Sequence, residues 1–229
     1  MPAKNSIKIY VENGYYHIYN RGVEKRTIFQ DEQDYKVFLG YLKFYLSPPP
    51  DKKDILKTFS LRGVSFKGVA APLKNYEKSI DLLAYCLIPN HFHLLIKQIK
   101  QGAMEFFMRS LATRYSTYFN KKYDRVGPLF QGPYKACIVE NENYLLHLSR
   151  YIHQNPGEYT NNLAGAYSSY AEYLGMRKTP WVKPDLILSF FEKGGGDFLK
   201  GFNSYKHFVE ADEKTIPETF SIPDYLTLE

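Results

Sequence analysis

Two histidines flank one phenylalanine, His91-Phe92-His93, at the head of the apolar run Leu94-Leu95-Ile96. Residues i and i+2 of a strand project from the same face. The spacing therefore predicts two imidazoles pointing one way, at a separation that a divalent metal can bridge. Apolar neighbours on both sides, Leu82, Leu83, Tyr85, Leu87 and Ile88 before and Leu94, Leu95 and Ile96 after, put the pair inside a sheet rather than on a loose tail. Such a pair is more often two satisfied, half-buried residues than two ligands, and short motifs match by chance. A metal site needs a third donor, and chemistry needs a reactive group.

Candidates for both lie downstream. Residues 141–156 read as a helix: Asn141 or Asn143 can cap its start, Leu145, Leu148 and Ile152 recur at helical spacing, and Pro156 stops it. Tyr151 and Asn155 are four residues apart and sit one turn apart on one side, flanking the apolar stripe. A phenol and an amide oxygen beside two imidazoles would make a metal-plus-nucleophile site, if strand and helix meet.

The coarse order of elements is strand 14–21, helix 31–46, strand 80–88, strand 91–98, helix 103–122, strand 133–140 and helix 142–154. This βαββαβ pattern plus a helix predicts an α+β, ferredoxin-like fold. A four-stranded antiparallel sheet would carry two helices on one face and leave the other for the added helix and a substrate. Residues 1–159 form the expected main domain. Within it, 51–78, opening at the Pro-rich loop Ser47–Lys53, read as an insertion. Residues 160–229 read as a helical extension with helices at Tyr167–Leu174, Pro184–Lys193 and Asp197–Asp212.

The chain resembles the REP-associated tyrosine transposase-like proteins, within the single-tyrosine HUH transposases of the IS200-like superfamily. The matching pieces run in order from Tyr16-His17-Ile18-Tyr19-Asn20-Arg21-Gly22, through Ile28-Phe29 and Asp34-Tyr35, to Tyr85-Cys86-Leu87-Ile88-Pro89-Asn90-His91-Phe92-His93-Leu94-Leu95. They continue with Tyr118-Phe119-Asn120, Gly127-Pro128-Leu129-Phe130-Gln131-Gly132, Tyr134-Lys135, Tyr151-Ile152-His153-Gln154-Asn155-Pro156 and Ser168-Ser169-Tyr170. The resemblance implies that His91, His93 and Asn155 hold Mg²⁺ or Mn²⁺. It implies that Tyr151 attacks a phosphate of single-stranded or hairpin DNA, giving a covalent phosphotyrosine and a free 3′-OH. The chain departs from the family pattern at two points. Pro133 stands where relatives often carry Arg, and Gly157-Glu158-Tyr159 where they often carry Val-Arg-Ala, so two basic contacts are missing. The rival readings are an inert hairpin-binding module and a metal-dependent hydrolase with a water nucleophile.

DNA-contact candidates come from charge and aromaticity. In the helix 103–122, Arg109, Arg114, Lys121 and Lys122 interleave with Tyr115, Tyr118 and Tyr123, a mixture suited to single strands. The competing expectation is that Leu111, Tyr115, Tyr118 and Phe119 are the core face, with the cations in solvent. Arg114, Lys121, Arg125 in the following loop, and Arg21 at the end of the first strand are the candidate contacts. Lys and Arg outnumber Asp and Glu by 30 to 24, the sign expected for a phosphate partner. No apolar run of membrane-spanning length and no leader appear, so the expected compartment is the cytoplasm. A homodimer stays open. Cys86 and Cys137 lack metal-site spacing and are expected to be buried thiols. His17 reads as structural, and His147 as a surface residue.

Overall fold

The computed structural model describes residues 9–51, 56–69, 74–192, 199 and 201–212. In chain order its elements are β1 (Gly14–Arg21), α1 (Glu32–Leu46), β2 (Leu56–Leu61), β3 (Val64–Val69), β4 (Ile80–Ile88) and β5 (His91–Gln98). They continue with α2 (Ala103–Lys122), β6 (Lys135–Val139), α3 (Glu142–Gln154), α4 (Tyr170–Tyr173), α5 (Asp185–Glu192) and α6 (Tyr205–Glu210). β1, β4, β5 and β6 form one antiparallel sheet in the order β4-β5-β1-β6, the ferredoxin-like arrangement. β2 and β3 pair separately as a hairpin inside the expected insertion. Its turn, Arg62-Gly63, has positive φ at both residues, which matches the right-handed twist of the strands.

Strand alternation sorts the two faces. Ile18, Leu94, Ile96 and Phe92 meet Phe38 and Leu42 of α1 and Phe107, Leu111, Tyr115 and Phe119 of α2. Leu95, Cys86 and Val139 meet Leu145, Leu148 and Ile152 of α3. Each such side chain, fully buried, contributes roughly 1.5–3 kcal/mol. A β-bulge between Leu82 and Ala84 breaks the alternation. Leu83 and Ala84 both join the α3 side, while Leu82 stays with α1 and α2. Cys86 and Cys137 are buried, unbridged thiols.

β6 is shorter than the expected 133–140. Pro133 has no N–H to give to a ladder. The chain after α3 also departs from the expectation. The Leu87 N–H donates to the Tyr167 carbonyl, Ser169 N–H to Tyr85 and Lys183 N–H to Leu82. Residues 167–169 therefore run along the edge of β4, and α4 starts only at Tyr170. The stretch shares a core with α3: Tyr170, Tyr173, Ile187, Tyr205 and Phe208 pack there. α6 begins at Ser204, whose hydroxyl caps the His207 N–H, so the expected helix 197–212 is shortened. Residues 197–198 lie outside the described residues.

α3 is covered on two sides, and this overturns the expectation for His147. It is buried and meets Phe208 edge-on, with ring centroids 5.5 Å apart. Burial, with the charge of Arg150 behind it, lowers its pKa to about 4. Arg150 donates to the carbonyls of Phe208 (2.8 Å) and Ala211 (2.7 Å). His153 bonds Tyr205 Oη (2.7 Å) and Ser169 Oγ (2.8 Å).

The aromatic-basic surface of α2 turns inward. The Tyr118 and Tyr123 hydroxyls and the Lys122 ammonium all donate to the buried Asp34 carboxylate, at 2.9, 2.8 and 2.7 Å. Asp34 also closes a capping box with Asp31 at the start of α1. Burial pushes the Asp34 carboxyl up, but the bonds from Lys122, Tyr123, the Gln30 amide and Tyr118 outweigh it and hold the pKa below its ordinary value. Asp34→Ala should cost about 1–3 kcal/mol, because it removes the shared acceptor of two phenols and leaves the Lys122 ammonium with Asp31 alone. A depressed carboxylate stabilises the fold above the unfolded pKa, about 3.9, and ceases to do so as pH falls through its lower folded value. Urea titrations at pH 7 and pH 3 should therefore show wild type losing more stability on acidification than the variant. Equal acid losses would mean that Asp34 is not the anchor.

Candidate active site

The antiparallel register sets Tyr19 opposite His93 and Arg21 opposite His91. Alternation then brings His17, Tyr19, Arg21, His91 and His93 to the face that α3 covers. The His91 and His93 rings stand 4.9 Å apart at 79°. Asn141 caps the start of α3 through the Tyr144 N–H, which fixes where the helix begins over the sheet. Ten residues further on, Tyr151 meets His93 edge-on at 5.4 Å and His17 at 6.1 Å. Asn155, one turn beyond Tyr151, bonds the His91 side chain. Strand and helix do meet, and the four residues singled out in the sequence converge.

Hydrogen bonds fix how the imidazoles are presented. His91 Nδ1 lies 2.6 Å from Asn90 Oδ1, an acceptor, so this nitrogen carries the proton and Nε2 keeps its lone pair. His93 Nδ1 lies 2.8 Å from His17 Nε2. His93 Nε2 is buried and has no hydrogen-bond partner. A buried nitrogen without a partner is costly. If Nδ1–H donates to His17, the lone pair of Nε2 is free to ligate, the arrangement that neighbouring residues impose on metal-binding histidines. The residues present thus fit a divalent ion. Among the described residues no three His, Cys, Asp or Glu side chains group to hold an ion, so the third donor would be the amide of Asn155.

Electrostatics keep both rings neutral, as ligation requires. Burial lowers the His91 pKa to about 4, helped by the charge of Arg21 and opposed by the bond to Asn155. Burial holds His93 well below the ordinary value, with His17, His91 and Arg21 adding to the effect.

Other candidates fall differently. Arg21 belongs to the site. Arg114 stacks over Tyr41 (4.6 Å) and Phe44 (5.3 Å) of α1, on the helical layer across the sheet. Arg125 donates to Asn120 Oδ1 (3.1 Å) and lies over Phe119. Lys121 is exposed at the end of α2. None of these three joins the imidazoles. His17 is the residue that the sequence reading left as merely structural. Its odd position in β1 carries the signal, but only the register with β5 shows that it supports His93. Lys135 was also missed. It pairs with Tyr19 across β1 and β6, and its ammonium lies 6.0 Å from the Tyr19 ring.

Gly22 ties the end of β1 to the turn before His91, its N–H donating to the Asn90 carbonyl at 2.9 Å. A Cβ here would lie 2.3 Å from the Arg26 carbonyl oxygen. Gly22→Ala should therefore push this loop aside and cost about 1–3 kcal/mol, read as a lower urea midpoint. An unchanged midpoint would show that the loop moves freely.

Comparison with known proteins agrees with this geometry. Residues 69–155 match the family described as Transposase IS200 like, a span that contains β4, β5, α2 and α3 with all four converging residues. The match is a likeness to that family over the part of the chain that carries the site. A solved structure of a REP-associated tyrosine transposase bound to a REP hairpin aligns with 77% of this chain and 95% of its own, at 11% identity and a TM-score of 0.50. The likeness is one of fold, and with the family match it bears out the resemblance seen in the sequence. No curated protein matches the chain. No helix among the described residues is long and apolar enough to cross a membrane.

Proposed function

We propose that the protein is a metal-dependent endonuclease and strand transferase of single-stranded DNA, acting through Tyr151 at hairpin-flanked sites. The observation that carries this reading is the convergence of Tyr151 on His93 and of Asn155 on His91, two residues of one helix turn over one His-x-His strand. The IS200-like match supports a DNA substrate, and the fold relative bound to a hairpin supports its form.

Each residue has a role. His91, His93 and Asn155 would hold Mg²⁺ or Mn²⁺, both compatible with nitrogen and oxygen donors. A bound ion would supply Lewis-acid polarisation of the scissile phosphate. His17 orients His93. Arg21 offers a planar cation to phosphate oxygens beside the imidazoles. Tyr151 must give up its phenolic proton to attack. Its oxygen then forms a bond to phosphorus as the bond to the 3′-oxygen breaks, and that oxygen leaves as a 3′-OH. The 5′-phosphotyrosine conserves the bond, so attack by another 3′-OH rejoins strands without ATP.

Tyr151→Phe should bind hairpin DNA nearly as wild type does but form no covalent adduct. Incubation with labelled hairpins from either side of the gene, Mn²⁺ and then denaturation should leave label on wild type alone. Adduct on the variant would assign the nucleophile elsewhere, with Tyr144 the first suspect. No adduct on either would favour the binding module. His91→Ala and His93→Ala should abolish cleavage while the circular dichroism stays native. Full cleavage by either would make the histidines structural.

His17→Ala should weaken Mn²⁺ binding roughly 10- to 100-fold, the usual cost of removing a residue that orients a ligand. Calorimetric titration with Mn²⁺ measures this directly. Undiminished affinity would mean that His93 orients itself.

A further inference from the structure

A cleft of ≈ 260 Å³ opens beside the site, and nothing in the chemistry above uses it. Its walls include Pro89, Pro156, Tyr35, Tyr167 and Tyr159, with Thr160 and Asn162 as polar members. Two walls are sequence neighbours of the site itself. Pro89 precedes Asn90-His91, and Pro156 follows Asn155. The aromatic side is prebuilt. Phe29, Tyr35 and Tyr167 form a column of near-parallel rings, 4.7 Å and 18° for the first pair, 4.0 Å and 6° for the second. Tyr35 and Tyr167 line the cleft.

Tyr159 is the unusual member. It is 52% exposed, a large ring half in solvent that lines the cleft. Its phenol lies within the electrostatic reach of Arg21, which faces the imidazoles. The ring thus lies near a cation suited to phosphate and lines the same cleft as a column of aromatic rings.

We propose that this cleft receives one unstacked nucleobase of the single strand next to the scissile phosphate, held by Tyr159 and the Tyr35–Tyr167 column. The proposal rests on the DNA-processing reading. Stacking on aromatic rings is the general way in which single-stranded bases are held, because every base has a π-face. A ring cleft whose walls lie two residues from His91 and next to Asn155 captures the base of the nucleotide whose phosphate is being positioned. Thr160 and Asn162 can read the edge of that base. The cleft then sets both the register of cleavage and a preference at one position.

The test is a scan of hairpin DNAs in which one flanking nucleotide at a time is made abasic. Binding is measured with the full chain in EDTA, so that no strand is cut, and the cut position is mapped separately with Mn²⁺. Wild type should lose about tenfold in affinity at one flanking position and tolerate the others. Tyr159→Ala should bind the intact hairpin about tenfold more weakly and show no extra loss at that position. Tyr159→Phe, which keeps the ring, should behave as wild type and so control for folding. Hairpin binding and Tyr151-dependent adducts with no abasic-sensitive position would overturn the base cleft and leave the nuclease reading intact. A sensitive position that persists in Tyr159→Ala would place the base elsewhere and also overturn the proposal. Absence of any DNA binding would remove both readings together.

Discussion

The pairing register of β5 is the constraint on which the rest depends. This strand is hydrogen-bonded on both sides, to β1 and β4, so its alternation is locked twice. Phe92, Leu94 and Ile96 go to the α1 and α2 layer, and His91, His93 and Leu95 go to α3. A slip by one residue would drive two imidazoles into an apolar core and expel three large side chains from it. The cost of that exchange is many kcal/mol, since each apolar group loses its burial and each imidazole its partners. The donor geometry is therefore a by-product of core packing and needs no flexible loop to create it.

The same desolvation that stabilises the fold sets the chemistry of the rings. Burial keeps His91 and His93 neutral, and fixed acceptors decide which nitrogen of His91 carries the proton. α3 completes the site from above because it is gripped from two directions. Leu148 and Ile152 hold it to the sheet, while Arg150 and His153 hold it to the segment that follows. Tyr151 is half-buried between these contacts, on a helix whose surface is otherwise largely covered.

Much of this was legible in the sequence, and the failures share a cause. β1, β4 and β5 can be drawn to the residue, because continuous apolar runs and Gly or Pro punctuation are local signals. The His-x-His strand and the Tyr151–Asn155 turn are equally local. What the sequence hides depends on partners far along the chain. His17 gains its role from a strand more than seventy residues away. His147 reads as exposed until Phe208 covers it. Residues 167–169 have the pattern of a helix start, yet backbone pairing with β4 overrides it. On α2, the bonds of Tyr118, Tyr123 and Lys122 to Asp34 and the stacking of Arg114 on the rings of α1 are contacts made far along the chain. The Leu83 bulge has no sequence mark at all.

The outer cover of α3 has a consequence for the order of synthesis. The strands and α3 leave the ribosome before residues 205–211, which supply Tyr205, Phe208 and the carbonyls that bind Arg150. Until that stretch emerges, Arg150 lacks these two carbonyls, His147 the ring of Phe208 and His153 the hydroxyl of Tyr205, and the outer side of the helix that carries Tyr151 is covered only in part. The nascent chain thus acquires its sheet first and the full setting of the helix that carries Tyr151 last, so a chain cut short before residue 205 carries every converging residue but lacks part of the clamp around that helix.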